Sequence, residues 1–128
     1  MVSELFTVYG KTDGTNTTGT FALSSPIFKG TVTYIRIPKG MKAKIWGKRI
    51  SGEPATITVE MTRDVTAGTP EWSAIHTEVL SSAGELDIEK RRPIIVESRT
   101  GKEAIRITWN QSTAAVTYVE FDIEITDE

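Results

Sequence analysis

The chain contains no cysteine. Disulfides, thiolate zinc sites, iron–sulfur clusters and cysteine nucleophiles are therefore excluded. The redox compartment stays open, because an extracellular β domain of this size does without disulfides. There is one histidine, His76. A serine–histidine–acid triad would have to be built on it, and a multi-histidine metal site within one chain is ruled out. Side-chain amides are confined to Asn16, Asn110 and Gln111, which together with the missing cysteine leans toward a thermostable protein from a thermophilic source. No apolar run approaches the ~18 residues of a membrane-spanning helix. The opening Met1-Val2-Ser3-Glu4-Leu5-Phe6 lacks a basic n-region and a long apolar h-region, so no signal peptide is expected and the chain is expected to stay in the cytoplasm where it is made. Excess positive charge is also missing: the net charge is -2 and the pI near 5.5, which argues against a nucleic-acid partner held by bulk charge.

What is present describes one folded domain. A length of 128 residues matches a single domain, and a domain of this size buries roughly two thirds of its unfolded surface. With 38% apolar residues the core needs no metal or cofactor to hold it. Threonine is abundant and interspersed with valine, isoleucine and aromatics, which is strand composition. Period-2 alternation recurs, and no window keeps a helical period.

The alternation predicts strands at 4–9, 20–23, 31–37, 41–49, 55–63, 72–80, 85–89, 94–97, 103–109 and 115–126. Pro38-Lys39-Gly40 reads as a type II turn joining 31–37 to 41–49 in a hairpin, and Arg99-Thr100-Gly101-Lys102 as the tip of a second hairpin. Residues 10–19, with three glycines and an Asp-Gly pair, read as a polar loop with nothing to anchor it to a core. The expected organisation is therefore an N-terminal strand and flexible arm or loop over 1–20, followed by one domain over 21–128. Eight to ten strands with turn signals about every 8–12 residues predict an all-β antiparallel sandwich or jelly roll, with a small barrel as the alternative. The expected core includes Ile35, Ile37, Ile45, Ile57, Val59, Ile105, Ile107, Trp109, Val119, Phe121 and Ile123.

Six features bear on function. In Met41–Arg49, one strand face carries Met41, Ala43, Ile45 and Gly47. The other carries Lys42, Lys44, Trp46 and Lys48, a tryptophan among lysines that suits a protein, sugar or base contact as well as a charged edge strand. Glu120, Asp122 and Glu124 line the outward face of the last strand and complement that basic strand, within one sheet or across a subunit boundary. Glu85, Asp87 and Glu89 share a face beside Lys90-Arg91-Arg92. Calcium or glycosidase chemistry is conceivable there, but alternate strand residues stand about 7 Å apart and a solvated face explains them. His76, with Trp72, Ala74 and Leu80 on its face, reads as a structural histidine, because no Gly-x-Ser-x-Gly motif accompanies it. Gly101-Lys102-Glu103 is no phosphate loop, since a strand rather than a helix follows. The acceptor patterns at Asn16 and Asn110 are discounted as chance in a threonine-rich chain.

Taken together, a small cysteine-free β-sandwich with no catalytic constellation, a threonine-rich surface and a polar glycine-bearing segment near the N-terminus resembles the jelly-roll decoration, or cement, proteins on the capsids of tailed viruses. The resemblance spans the chain as architecture, without a diagnostic motif. It implies a non-enzymatic structural protein, with no catalytic, cofactor or metal site, that self-associates as a trimer on a virion surface. The contact residues expected are Lys42, Lys44, Trp46, Lys48, Glu120, Asp122 and Glu124. The alternative is a carbohydrate-binding β-sandwich using Trp46, Trp72 or Trp109 as a platform. A glycosidase-type enzyme ranks last.

Overall fold

In the computed structural model, which describes residues 3–88 and 92–128, ten strands follow one another: β1 (Ser3–Lys11), β2 (Thr18–Thr20), β3 (Ile35–Arg36), β4 (Lys42–Gly52), β5 (Ala55–Thr62), β6 (Ser73–Leu80), β7 (Gly84–Asp87), β8 (Ile94–Glu97), β9 (Ala104–Asn110) and β10 (Thr117–Thr126). No helix occurs among the described residues, so none is long and apolar enough to cross a membrane. The strands form two five-stranded antiparallel sheets, not a closed barrel. Sheet A runs β1-β10-β4-β7 with β8 also on β4, and sheet B runs β2-β9-β5-β6 with β3 also on β9. The fold is a β-sandwich.

The apolar half of each alternating strand faces the other sheet. Val8, Ile45, Ile50, Phe121 and Ile123 of sheet A meet Ile57, Val59, Ile105 and Ile107 of sheet B in one buried cluster. Each such side chain contributes roughly 1.5–3 kcal/mol when fully buried. Of the expected core, Ile35 alone is only partly buried. Phe21, Leu23 and Ile37 fill the space between the sheets from outside the named strands.

Both expected hairpins are corrected. β3 pairs with β9 in sheet B while β4 pairs with β10 in sheet A. The Pro38–Met41 turn, closed by Met41 N–H donating to Pro38 O at 3.1 Å with Gly40 at φ 82, therefore carries the chain across the sandwich. The Arg99–Lys102 corner likewise leads from β8 on β4 to β9 on β5. Turn chemistry reverses the chain direction, but burial of the flanking apolar residues decides which sheet receives it.

The segment 10–19 is also anchored, contrary to expectation. Thr12 is buried. Its backbone N–H donates to Thr117 O, and its Oγ1 accepts from Thr117 N–H, both at 2.9 Å. Asp13 organises the tip by accepting from Asn16 N–H and Thr15 N–H at 2.8 Å each. These bonds, the Asn16 N–H first, hold its carboxyl below the usual carboxylate range. Gly19 is placed so that a Cβ would lie 2.5 Å from the Trp109 ring.

Two β-bulges shift the sequence alternation. One leaves Lys48 without a partner on β10, between the pairs Phe121↔Gly47 and Glu120↔Arg49. The other falls at Ile75, between Val59↔His76 and Glu60↔Ala74. Ala74 therefore does not share a face with His76 and Leu80, as simple alternation predicts.

Candidate partner-contact face

The outward residues of sheet A form rows across the strands, because directly paired residues project to the same side. One row is Leu5, Glu124, Lys44 and Ile95; the next is Thr7, Asp122 and Trp46; a third is Tyr9, Glu120, Arg49 and Asp87. The acidic strand β10 thus lies directly beside the basic strand β4 within one sheet. Lys44 Nζ is 3.8 Å from Glu124 Oε1, Ser3 Oγ donates to Glu124 Oε2 at 2.8 Å, and Thr7 Oγ1 donates to Asp122 Oδ1 at 2.6 Å. Such pairs, partly open to water, contribute little to stability. They hold the carboxylates in place and leave a face of balanced charge.

All seven residues expected to make contact lie on these neighbouring strands, with Trp46 half-buried between Lys44 and Lys48. The bulge places Arg49, rather than Lys48, opposite Glu120. Leu5 and Tyr9 of β1, Ile95 of β8 and Tyr118 of β10 were not expected to contribute, yet all are exposed and all belong to the same sheet. The alternation of Leu5 with buried Phe6 and Val8 is the sequence signal that points to the first of them.

The other candidates sit elsewhere. His76 Nε2 is 2.8 Å from Oε1 of Glu78, which is buried. Trp109 is buried against Phe21 with ring centroids 5.0 Å apart. The Arg106 guanidinium lies 4.3 Å from the centroid of Trp72, and Arg106 Nε also donates to Glu60 Oε1 at 2.7 Å. Glu85 pairs with Arg49 at 3.3 Å. Glu89, Lys90 and Arg91 lie outside the described residues. Among the described residues, no group of three histidine or acidic side chains is arranged to hold a metal ion.

Glu103, dismissed with the phosphate-loop pattern, proves to be a buried and tightly held carboxylate. It is 5% exposed. Oε2 accepts from Arg99 N–H at 3.0 Å, while Oε1 accepts from Thr100 Oγ1 at 2.7 Å and from Ser98 Oγ at 3.0 Å. Burial pushes its pKa up, but these bonds outweigh burial and bring it down to about 2. Glu103 therefore fastens the corner where the chain crosses between sheets.

No protein-family model matches the chain, and no curated protein matches it. Solved structures share its architecture at low identity. One is a structure of Bacillus endospore appendages, described as a novel family of disulfide-linked pili (TM-score 0.47, 15% identity, 97% of this chain and 84% of that chain). A second is the CBM22-1–GH10 portion of the Clostridium thermocellum xylanase 10B with xylohexaose (TM-score 0.46, 14% identity, 95% of this chain and 25% of that chain). A third comes from the infectious bursal disease virus Gx strain (TM-score 0.44, 10% identity, 98% of this chain and 32% of that chain). The chain thus spans 25% and 32% of the latter two. The likeness is one of architecture alone.

Proposed function

We propose that this chain is a non-enzymatic structural module that engages a partner protein through the outer face of sheet A, in the setting of a virion surface. The observation that carries the reading is the composition of that face: charges of both signs in adjacent strands, with Trp46, Leu5, Tyr118 and Ile95 among them. Half-buried tryptophan inside a ring of charge is the composition of a protein contact. The virion setting rests on the resemblance to capsid decoration proteins. So does the expectation of a trimer, which the two-fold pairing proposed below replaces.

Covering the exposed part of Trp46 contributes roughly 1–2 kcal/mol, about tenfold in affinity. The test is antibody labelling of particle fractions from the native source, comparing wild type with Trp46→Ala. Wild type should sediment with particles and Trp46→Ala should be depleted from them about tenfold, with unchanged thermal stability. Equal sedimentation of both, or none of either, refutes the reading.

One observation favours the carbohydrate-binding alternative. An open cleft of about 490 Å³ beside β6 is lined by Arg63, Asp64, Thr69, Glu71 and Ser73 together with Met61, Ala67 and Ile75, a mixed lining that offers sugar hydroxyls polar partners. Retardation of the protein in polysaccharide-containing gels, abolished by Glu71→Ala, supports that alternative.

A further inference from the structure

The edges of the two sheets are not equally protected. Sheet B ends on one side in β2 and β3, which are three and two residues long, and on the other in β6, which carries the Ile75 bulge. Beyond β4, sheet A ends in β7 and β8, each four residues long. Short strands and bulges are the devices that keep edges from pairing with other chains. β1 has neither. It runs for nine residues without a bulge, and its register with β10 is unbroken.

The direction of its free backbone groups follows from one bridge. Tyr9 N–H donates to Ser24 O at 2.9 Å, and Ser24 N–H donates to Tyr9 O at 2.8 Å. Tyr9 thus turns its backbone away from β10. Because hydrogen bonding alternates along an antiparallel strand, Thr7, Leu5 and Ser3 do the same. Leu5 and Thr7 have no backbone partner on that side among the described residues. Their side chains project from the outer face, and Leu5 is 65% exposed. Beneath the same edge an open apolar cleft of about 340 Å³ is lined by Phe6, Ile27, Phe28, Ile35, Met41 and Ile125, with Glu4 and Arg36 at its polar margin. Open backbone groups over an apolar cleft form the geometry to which an extended strand adds.

We propose that the Ser3–Thr7 edge of β1 is a self-association site. A second copy adds its own β1 antiparallel, about a two-fold axis through the Leu5 pair, joining the two A sheets into one. The inference deepens the reading of the protein as an assembly module by naming the surface through which copies meet, and that surface generates two-fold rather than three-fold symmetry.

The register follows from the residues. Pairing Leu5 with the partner's Leu5 also pairs Ser3 with the partner's Thr7, and uses every outward-turned residue up to the Ser24 bridge. It opposes no like charges. Shifting the axis to Glu4 sets Glu4 directly against the partner's Glu4, which is destabilising. Shifting it to Phe6 sets Ser3 against the partner's Tyr9, whose backbone is already bonded to Ser24. In the Leu5 register the two Glu4 side chains are diagonal neighbours on the inner face, so Glu4→Gln should tighten the pair.

Because the protein has no cysteine, single cysteines report the register. A hydrogen-bonded antiparallel pair has Cα atoms about 5.5 Å apart, inside the range a disulfide spans. Under mild oxidation with diamide, L5C should therefore give a covalent dimer. In T7C the two sulfurs would belong to residues offset by about 13 Å along the strands, so no dimer should form. Light scattering of wild type should give twice the monomer mass, falling to the monomer mass in L5K. An equimolar mixture of L5K and L5E should recover the pair. Leu5 is exposed, so none of these changes touches the core, and far-ultraviolet spectra should be unchanged.

A monomeric wild type, a dimer that persists in L5K, or cross-linking of T7C in place of L5C overturns the proposal. Capture of an unrelated extended peptide by a monomer overturns it as well. These outcomes are distinct from failure of the functional reading. A monomer whose attachment to particles still depends on Trp46 removes only the pairing. An L5K-sensitive dimer whose Trp46→Ala variant attaches normally removes only the contact face.

Discussion

Replacing Glu103 by glutamine should destabilise the protein in a pH-dependent way. In the native state the carboxylate accepts hydrogen bonds from Arg99 N–H, Thr100 Oγ1 and Ser98 Oγ. An amide of the same shape presents a donor to at least one of these donors. The magnitude follows from linkage. Glu103 falls from an ordinary value of 4.5 to about 2 on folding, which corresponds to about 3 kcal/mol, or about 2 kcal/mol after discounting for water near the turn. Because the folded-state pKa is the lower one, this stabilisation is fully present above pH 4.5 and is lost as the pH falls through about 2. Urea unfolding of wild type and Glu103→Gln at steps between pH 7 and pH 2 isolates the effect, since other carboxylates cancel in the difference. We expect a gap of about 2 kcal/mol at pH 7, a lowering of Tm by roughly 6–10 °C there, and convergence of the two proteins toward pH 2. A gap that stays constant with pH, or one below about 0.5 kcal/mol at neutrality, would refute the assignment of Glu103 as the fastening of the corner.

Two further predictions concern the end of the sandwich near residues 10–19. Thr12→Val leaves Thr117 N–H and Ala115 O without the hydroxyl that serves both, and should cost about 2–4 kcal/mol in urea unfolding. Thr17→Val, at an exposed position, should stay within about 0.5 kcal/mol of wild type. Gly19→Ala drives a methyl into the Trp109 ring, with contacts at 2.5 Å, and should cost about 1–3 kcal/mol. Trp109→Phe in the same chain should relieve part of that loss, because it removes the ring atoms that clash; strictly additive losses would show that the contact is not the cause.

Much of the fold is readable in the alternation of single strands. Ile57 and Val59 in β5 and Val119, Phe121 and Ile123 in β10 follow period 2 and are buried. Pairing is less readable, because a turn such as Pro38–Met41 looks the same whether it returns the chain to its own sheet or sends it to the facing one. The bulges at Lys48 and Ile75 are invisible for a related reason: an extra residue is defined by the partner strand, not by its own neighbours. Phe21 and Leu23 fall in the expected strand 20–23, but so short a stretch does not show that both are fully buried between the sheets. The charged faces of β4 and β10 are evident from composition, and their adjacency is one of two arrangements that complementarity permits. Ile95 joins the same face only because β8 pairs with β4, a long-range fact. Thr12 escapes notice because its anchoring depends on Thr117, on a strand almost the whole chain away.

The position of β10 has a consequence for how the protein comes into being. The last strand of the domain lies between β1 and β4, so these strands have no neighbour in common until it arrives. Among sequentially adjacent strands of the described residues, only β5 and β6 pair with each other. A chain emerging from the ribosome at about 5–20 residues per second therefore carries β1 and β4 without their shared neighbour for most of its synthesis, while the Leu23–Val32 bridge and the β5–β6 hairpin are local pairings already within reach. Folding dominated by such distant pairings belongs to the millisecond-to-second regime. Assembly of sheet A thus waits for its final strand, which enters between partners made seconds earlier.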